Sequence, residues 1–340
     1  MTAVLSRLDG RLLTDFWHLV AHRAELAEPG AWLRLDWPGG DLALFNDEGE
    51  ILAFDNVCPH RGARYFTGDH GVGRVVCAYH GWAYRAGQLR VAQRASFDEA
   101  ELAGLGLRRF RTAWCGDFLF VGLAPVESLE AQLGEAFADL ERASRRITTR
   151  RDFNAFTFQA NWRVGVENAL EGYHVNPIHP QTLAPLGLVD DRIDYQGRNI
   201  GYLARIGQAR TAKGLSVMKR FFEVDDAYEG YWSLYVFPFA MVSSTFGYSY
   251  ALQTYFPSAL PNQAHFCSRL LTSRVKPGAE TAVEGFFESS AQVNRRIFEE
   301  DHAICARVSP AYDMMRPGRV FARAEERVRR LHAILTDLNG

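Results

Sequence analysis

Two short segments, each holding one cysteine and one histidine, constrain this chain more than any other feature. The first reads Cys58-Pro59-His60-Arg61-Gly62, and the second reads Cys77-Ala78-Tyr79-His80-Gly81-Trp82, with sixteen residues between His60 and Cys77. The glycines and the proline are residue types that allow a backbone to fold tightly around a metal. Two thiolates and two imidazoles on two loops therefore predict a metal centre.

The ligand order separates two kinds of centre. A structural zinc ion accepts two cysteines and two histidines, but zinc sites usually place like ligands together, as in C-x-x-C. A two-iron, two-sulfide cluster can take two cysteines on one iron and two histidines on the other. Because each segment here mixes cysteine with histidine, the order favours the cluster over zinc.

The composition excludes several other classes of protein. The chain has 340 residues, of which 47 % are hydrophobic, so it can form a real core of one large or two smaller domains. Five cysteines exclude a disulfide scaffold, and a net charge of −2 argues against a general nucleic-acid-binding surface. No apolar stretch reaches the ~20 residues of a membrane span, so we expect a soluble cytoplasmic protein without a membrane partner.

The pattern of hydrophobic residues divides the chain near Ala124. Residues 30–125 show short apolar runs between turn residues, which predicts a small all-β domain. Beyond this point helical spacing over 128–146, 162–176, 280–308 and 322–338 alternates with strand-like runs over 231–236, 248–256 and 265–272. We therefore predict an α+β fold, in which the second domain has an antiparallel sheet flanked by helices.

A second candidate metal site lies at the end of the helix predicted over 162–176. Glu171 and His174 are three residues apart and share a helical face, and His179 follows beyond a helix end marked by Pro177. Two histidines and one distant carboxylate form the facial triad of non-haem iron enzymes. Alone, this spacing is a weak signal, because histidines so placed are more often packed residues or helix caps.

Together these segments resemble the Rieske non-haem iron oxygenases, whose motifs usually run C-P-H-R-G, C-P-Y-H-G-W and E/D-x-x-H-x4-H. The sequence departs from that pattern at Ala78, where the family's proline stiffens the loop and is not a ligand. The resemblance implies a Rieske [2Fe-2S] domain over 14–124 and a catalytic iron domain over 125–340, on which the N-terminal segment packs. It also implies two ligand sets: Cys58, Cys77, His60 and His80 for the cluster, and His174 and His179 for a mononuclear Fe(II).

The resemblance gives two carboxylates a role. The third iron ligand is expected at Asp301, and Glu300 is the alternative. If neither binds iron, both would be ordinary solvent-exposed residues on one face of a helix. Glu171 is expected to bridge His174 to His80 of a neighbouring subunit in a head-to-tail homotrimer, because the two metal centres of one subunit lie too far apart for fast electron transfer. Most of the family has aspartate in place of Glu171.

The expected function is that of a terminal oxygenase using O2. Since the sequence contains no G-x-G-x-x-G dinucleotide motif, electrons from NAD(P)H would arrive through a reductase, a ferredoxin or both. The short chain and Glu171 favour monooxygenation, as hydroxylation or oxidative demethylation of a small organic substrate, over cis-dihydroxylation of an aromatic ring. An electron carrier without oxygen chemistry and a zinc-stabilised binding protein are the more distant alternatives. The sequence leaves the substrate open between an apolar or aromatic molecule and a quaternary ammonium compound.

Overall fold

The computed structural model describes residues 5–223, 230–312 and 314–339. It contains helices and antiparallel sheets in both halves of the chain, which confirms the predicted α+β class. None of the described helices has the length and apolar character that a membrane span requires.

The N-terminal part is built from two α-helices and three small sheets. Its helices are α1 (Arg7–Asp15) and the short α2 (Glu99–Leu102). The sheets have the strand orders β1-β10-β9, β4-β3-β2-β5 and β6-β7-β8. These strands are β1 (Trp17–His22), β2 (Ala31–Trp37), β3 (Gly40–Asp47), β4 (Glu50–Asp55), β5 (His70–Val72), β6 (Val75–Val76), β7 (Ala83–Arg85), β8 (Gln88–Arg90), β9 (Arg111–Cys115) and β10 (Phe118–Gly122).

Alternation explains these strands. Along β2 every second residue is buried, so one face contacts the core and the other is partly exposed.

Helix α1 contacts the C-terminal half: Asp9 accepts hydrogen bonds from Trp162 and Arg163, and Arg11 donates to the carbonyl of Leu338.

A seven-stranded antiparallel sheet forms the centre of the C-terminal part, with the strand order β11-β17-β16-β15-β14-β13-β12. Its central strands β15, β16 and β17 are buried almost throughout, as expected for a sheet covered on both faces. The strands are β11 (Ile147–Phe158), β12 (Leu188–Gln196), β13 (Asn199–Ile206), β14 (Tyr231–Val236), β15 (Ala240–Thr245), β16 (Ser249–Pro257) and β17 (Ala264–Ser273).

Helices surround this sheet, and the candidate iron ligands lie on α8 and at the two ends of α6. The 26-residue helix α8 contacts both α5 and β11, which places the end of α8 beside the end of α5. The helices are α3 (Leu129–Leu133), α4 (Ala136–Ser144), α5 (Trp162–Ala169), α6 (Val175–Ile178), α7 (Ala209–Met218), α8 (Glu280–Cys305) and α9 (Glu326–Asn339).

Two helix predictions differ from the structure in their continuity. The helix predicted over 128–146 is divided into α3 and α4 at Gly134, which has a positive φ of 53°. The helix predicted over 162–176 ends at Ala169, and α6 begins only at Val175. Pro177 therefore does not mark the helix end but lies in the first turn of α6, where proline is tolerated because its missing N–H has no partner.

Candidate metal centres and the adjoining cavity

The two cysteine–histidine segments form loops of the same design. The N–H of Gly62 donates to the carbonyl of Cys58, and the N–H of Gly81 donates to the carbonyl of Cys77, both at 2.9 Å. The two glycines have φ values of +74° and +71°, in the region that only glycine adopts without strain. Each loop thereby turns its cysteine and its histidine toward the same place. Ala78 occupies the position of Pro59 without changing this closure.

The thiols lie together and are buried. Cys58 and Cys77 are only 1 % and 2 % exposed. Burial raises the pKa of the Cys58 thiol, and the neighbouring Cys77 contributes to the increase. A pair of buried thiols resists ionisation unless a cation compensates the two negative charges. A bound metal would supply that cation, and the side-by-side placement of the two thiols fits a shared metal site.

The imidazoles lie together on the outer side of the same site. The rings of His60 and His80 have their centroids 4.6 Å apart. His60 Nδ1 is buried and has no hydrogen-bond partner among the described residues, as a nitrogen reserved for a metal would be. Trp82 stacks on the His60 ring at 4.6 Å with an interplanar angle of 10°. Because thiol is paired with thiol and imidazole with imidazole, the donor set fits a cluster with two irons.

A second group of ligand atoms is formed by the end of α5, the segment after it and the end of α8. Ligand atoms of His174, His179 and Asp301 lie within 4.8 Å of one another. Asp301 Oδ1 is 2.9 Å from His179 Nε2 and 3.4 Å from His174 Nε2. Asn168 donates to the same oxygen at 2.7 Å. Two imidazole nitrogens and one carboxylate converging in this way fit a mononuclear metal with open positions.

The outer nitrogen of each imidazole contacts a carboxylate. His174 Nδ1 contacts Glu171, and His179 Nδ1 lies 2.8 Å from Glu300 Oε2. A carboxylate on Nδ1 fixes the proton there and leaves the Nε2 lone pair directed at the metal. Glu300, the alternative third ligand, therefore lies on the far side of His179, whereas Asp301 faces both Nε2 atoms.

The charges of this group depend on one another. Burial disfavours the charged form of His174, but hydrogen bonds with Asp301 and Glu171 outweigh it and raise the imidazole pKa to about 9. Burial likewise opposes ionisation of Asp301, yet its contacts with the two imidazoles lower the carboxyl pKa. A carboxylate that stays ionised while almost fully buried is an effective ligand for a cation.

Glu171 and His174 meet in a turn and not on a helix. After α5 ends, one oxygen of Glu171 accepts the backbone N–H groups of Tyr173 and His174, while the other contacts the His174 ring. Gly172 lies in this turn, and nothing within 4 Å would contact a side chain there. The predicted proximity of Glu171 and His174 is therefore present, but it comes from a carboxylate-capped turn.

We call His174, His179 and Asp301 the iron group. A cavity of about 480 Å³ opens beside it. His174 and Asp301 form part of its wall, together with residues that sequence reasoning missed because they come from distant strands and helices. From the aromatic-rich sequence stretches 235–241 and 246–250, Met241 contributes to the wall. The missed lining residues include Asn168, Tyr202, Tyr231, Gln253 and Arg327.

Several other candidates have structural roles. His302, beside Asp301, accepts the N–H of Gln159 at 3.0 Å and stacks on Phe156, so it does not face the iron group. The three cysteines outside the cluster loops lie in apolar sequence runs and are buried, which fits core thiols: Cys115, Cys267 and Cys305.

Comparison with known families assigns both parts of the chain. Residues 16–100 match the Rieske [2Fe-2S] domain, and residues 137–339 match the catalytic domain of the ring-hydroxylating alpha subunit. These two matches contain the two loops and the iron group respectively.

Curated relatives are oxygenase subunits. The glycine betaine monooxygenase oxygenase subunit of Chromohalobacter salexigens is 32 % identical over 185 residues, covering 52 % of this chain and 41 % of the relative. The carnitine monooxygenase oxygenase subunit of Escherichia coli K12 is 33 % identical over 176 residues, covering 48 % of this chain and 46 % of the relative. The matches thus span less than half the length of these curated relatives.

Solved structures share the fold over nearly the whole chain. A quaternary ammonium Rieske monooxygenase in complex with L-carnitine has a TM-score of 0.73 at 17 % identity, covering 98 % of this chain and 91 % of the other. Naphthalene 1,2-dioxygenase from Rhodococcus sp. has a TM-score of 0.69 at 17 % identity, covering 97 % and 90 %.

The donor sets described above fit the cofactors that the two family matches imply, a Rieske [2Fe-2S] cluster and a mononuclear iron. The chain belongs to the family of ring-hydroxylating alpha subunits and carries a Rieske domain in its N-terminal part.

Proposed function

We propose that this chain is the terminal oxygenase of a Rieske system. The observation that carries the proposal is the convergence of His174, His179 and Asp301 on one point at the wall of a cavity of about 480 Å³. Two imidazoles and one carboxylate leave coordination positions open, which a purely electron-carrying centre does not need. The same chain also holds the donor set of an electron-carrying cluster.

The site residues divide into two ligand sets and one bridging residue. The inferred ligands are Cys58 and Cys77 on one iron of the cluster, His60 and His80 on the other, and His174, His179 and Asp301 on the mononuclear iron. When bound, that iron supplies the open positions and redox chemistry needed to oxidise a substrate with O2. The chain's own contribution is to fix the ligand nitrogens through Glu171 and Glu300 and to surround the substrate with the cavity wall.

We place the domain boundary at Ala124, giving a Rieske domain over 14–124 and a catalytic domain over 125–340. The contacts of α1 with Trp162, Arg163 and Leu338 support packing of the N-terminal segment on the catalytic domain.

We further propose a head-to-tail homotrimer in which Glu171 contacts His80 of the next subunit. Tyr79, beside His80, is 61 % exposed, and Tyr173, beside Glu171, is 69 % exposed. Tyrosine is enriched at protein–protein interfaces, so an exposed tyrosine on each surface suits contact with a partner subunit. Each surface lies next to one of the two metal centres, so covering one with the other brings the cluster of one subunit to the iron of its neighbour.

The electron donor is proposed to be a separate reductase, ferredoxin or both. The chain has no dinucleotide-binding motif, so NAD(P)H would be oxidised elsewhere. A cytoplasmic location stays a prediction.

Monooxygenation is the reaction we favour. Relatives that match this chain at 32 % and 33 % identity are the monooxygenase subunits for glycine betaine and carnitine. We infer that a small organic substrate is hydroxylated or oxidatively demethylated. Ring dihydroxylation is the second candidate, because the large subunit of anthranilate 1,2-dioxygenase from Acinetobacter baylyi also matches, at 30 % identity.

Oxygen consumption tests the proposal. The holoprotein, reduced with a chemical donor and a mediator, is incubated with glycine betaine, carnitine, aromatic acids, and N-methyl and O-methyl compounds. We expect at least one compound to increase oxygen uptake and either to gain one hydroxyl oxygen from ¹⁸O2 or to lose a methyl group as formaldehyde. Two labelled oxygen atoms on adjacent ring carbons would instead support dihydroxylation. A protein that accepts electrons but neither consumes O2 nor oxidises any compound would be the electron carrier.

A further inference from the structure

One buried guanidinium in the cavity wall has no anionic partner among the described residues. Arg327 is 6 % exposed and lines the cavity that holds His174 and Asp301. Its guanidinium makes no hydrogen bond and no ion pair with any residue that the structure describes. It lies against the ring face of Tyr202, with 3.9 Å from Cζ to the ring centroid. An arginine stays charged in proteins, so a full positive charge borders this cavity.

The other arginines of the same segment of α9 are satisfied. Arg329 donates to the carbonyl of Phe321, Arg330 donates to the carbonyl of Gly197, and both are exposed. Of Arg327, Arg329 and Arg330, Arg327 is therefore the one that is buried and whose guanidinium has no hydrogen-bond partner among the described residues.

The acidic groups around the cavity do not neutralise Arg327. Asp190 and Glu171 act on it only through space, without a contact ion pair. The carboxylates of the cavity wall each have a donor of their own: Asp190 from the Tyr202 hydroxyl, Glu326 from the Tyr195 hydroxyl, Asp301 from Asn168, and Glu171 from backbone N–H groups. Among the described residues the wall thus contains paired acids and two arginines without an acidic partner, of which Arg323 is exposed to solvent and Arg327 is buried.

The position of Arg327 costs stability. Burial lowers the pKa of its guanidinium, which means that desolvation opposes the charge. Arg327 also lies in the first turn of α9, where the helix dipole disfavours a cation. A buried charge without a partner is destabilising, and such a charge in a functional cavity is typical of a binding group.

We propose that Arg327 binds a carboxylate group of the substrate. This inference rests on the proposed function, since it assigns the substrate class of that same site. A guanidinium presents two parallel N–H donors that match the two oxygens of a carboxylate. Tyr202 holds the guanidinium from its ring face, which leaves the edge with the N–H groups available. Tyr231 and Met241 would contact the uncharged remainder of the molecule.

Binding to the intact holoprotein tests the proposal without turnover. Calorimetric titration compares three pairs of probes that differ only at the carboxyl group: benzoate and benzamide, phenylacetate and phenylacetamide, glycine betaine and its amide. A charge-assisted hydrogen bond predicts that at least one acid binds about ten-fold or more tightly than its amide. If no acid binds more tightly than its amide, the proposal is overturned.

Arg327→Gln locates the effect. We expect the affinity for the preferred acid to fall about ten- to a hundred-fold, to the level of the amide, with the affinity for the amide unchanged. Arg327→Lys should retain part of the preference, because it keeps the charge but not the paired donors. Arg329→Gln is the matched control, with the same charge loss outside the cavity, and should bind like the wild type. An acid preference that survives in Arg327→Gln would overturn the proposal.

Circular dichroism and the iron content show whether each variant is folded. If Arg327→Gln does not fold, the wild-type comparison of acids with amides and the Arg327→Lys variant still decide the question. An acid preference in a protein that consumes no O2 would reject the oxygenase function and leave the carboxylate site standing. Oxygen consumption without a preference for acids would reject the carboxylate site and leave the oxygenase function standing.

Discussion

The cluster loops repeat one local backbone design, whereas the iron group joins segments that are distant in sequence. Each cluster loop is closed by its own glycine within five residues, so its cysteine and histidine are positioned locally. His179 and Asp301, by contrast, are 122 residues apart and meet through the packing of α8 against α5 and α6. The local site depends on backbone conformation, and the assembled site depends on side chains that hold each other.

Removal of an iron ligand is expected to have the largest effect. His174→Ala should abolish product formation and release the mononuclear iron, because only His179 and Asp301 would remain. The visible absorbance of the cluster should be unchanged, since the two sites share no residue. His302→Gln is the control, as His302 does not face the iron group. Product formation at the wild-type rate would contradict the iron assignment.

The reciprocal experiment removes a cluster ligand. Cys58→Ser should abolish the visible absorbance and leave about one iron per chain, since a cluster that loses one of its thiolates is no longer stably held. Cys115→Ser, at another buried thiol, should keep the absorbance. If Cys58→Ser instead left the absorbance intact, the assignment of this loop would be wrong.

A substitution of Glu300 tests whether iron binding depends on the carboxylate that contacts the Nδ1 atom of His179. Glu300→Gln keeps the size of the side chain but weakens the contact with His179 Nδ1, so the affinity for iron should fall about 10- to 100-fold. The exposed neighbour Glu299 gives the matched control, Glu299→Gln. Iron titration of the apoprotein measures both. Equal iron affinity in the two variants would show that Glu300 does not position His179.

Glu171→Gln distinguishes bridging from ligand positioning. We expect both metal centres to remain loaded, while electron transfer from the cluster to the iron slows because the proposed link to the next subunit's His80 is weakened. Single-turnover kinetics of the pre-reduced protein measure the transfer. Normal single-turnover rates with both centres occupied would reject the bridging role.

The local design of the loops predicts the smallest effect. Gly62→Ala places a side chain at a φ of +74°, with nothing within 4 Å for it to contact, so the cost is conformational and about 1 kcal/mol. Gly106→Ala, at an uncrowded glycine outside the positive-φ region, is the control. Denaturant unfolding of the holoprotein measures the difference. A loss equal to that of the control would show that the loop geometry does not require glycine.

The sequence predicted the parts of the molecule that are encoded locally. The ligand loops, strands β2 to β4 and helix α8 follow from spacing and alternation within a few residues. The break after Ala169 could not be predicted in this way, since it depends on Glu171 capping the turn. Strand β11 was missed because it is an edge strand with many polar residues and little regular burial.

Contacts between residues that are distant in the sequence could not be predicted from the sequence either. Nothing in the run Glu326-Arg327-Val328-Arg329-Arg330 distinguishes Arg327 from its exposed neighbours. Glu300 and Asp301 are adjacent carboxylates on one helix, and only packing against His179 shows which nitrogen each one faces. The carboxylate that contacts each nitrogen of a histidine, and the residues that line a cavity, depend on the tertiary structure.

The central claim is that one chain holds two different metal centres, and the amounts of iron and acid-labile sulfide in the purified protein test it most directly. A Rieske cluster and a mononuclear iron together predict about three iron atoms and about two sulfides per chain. About two irons with two sulfides would contradict the iron centre at His174, His179 and Asp301, and zinc without sulfide would contradict the cluster.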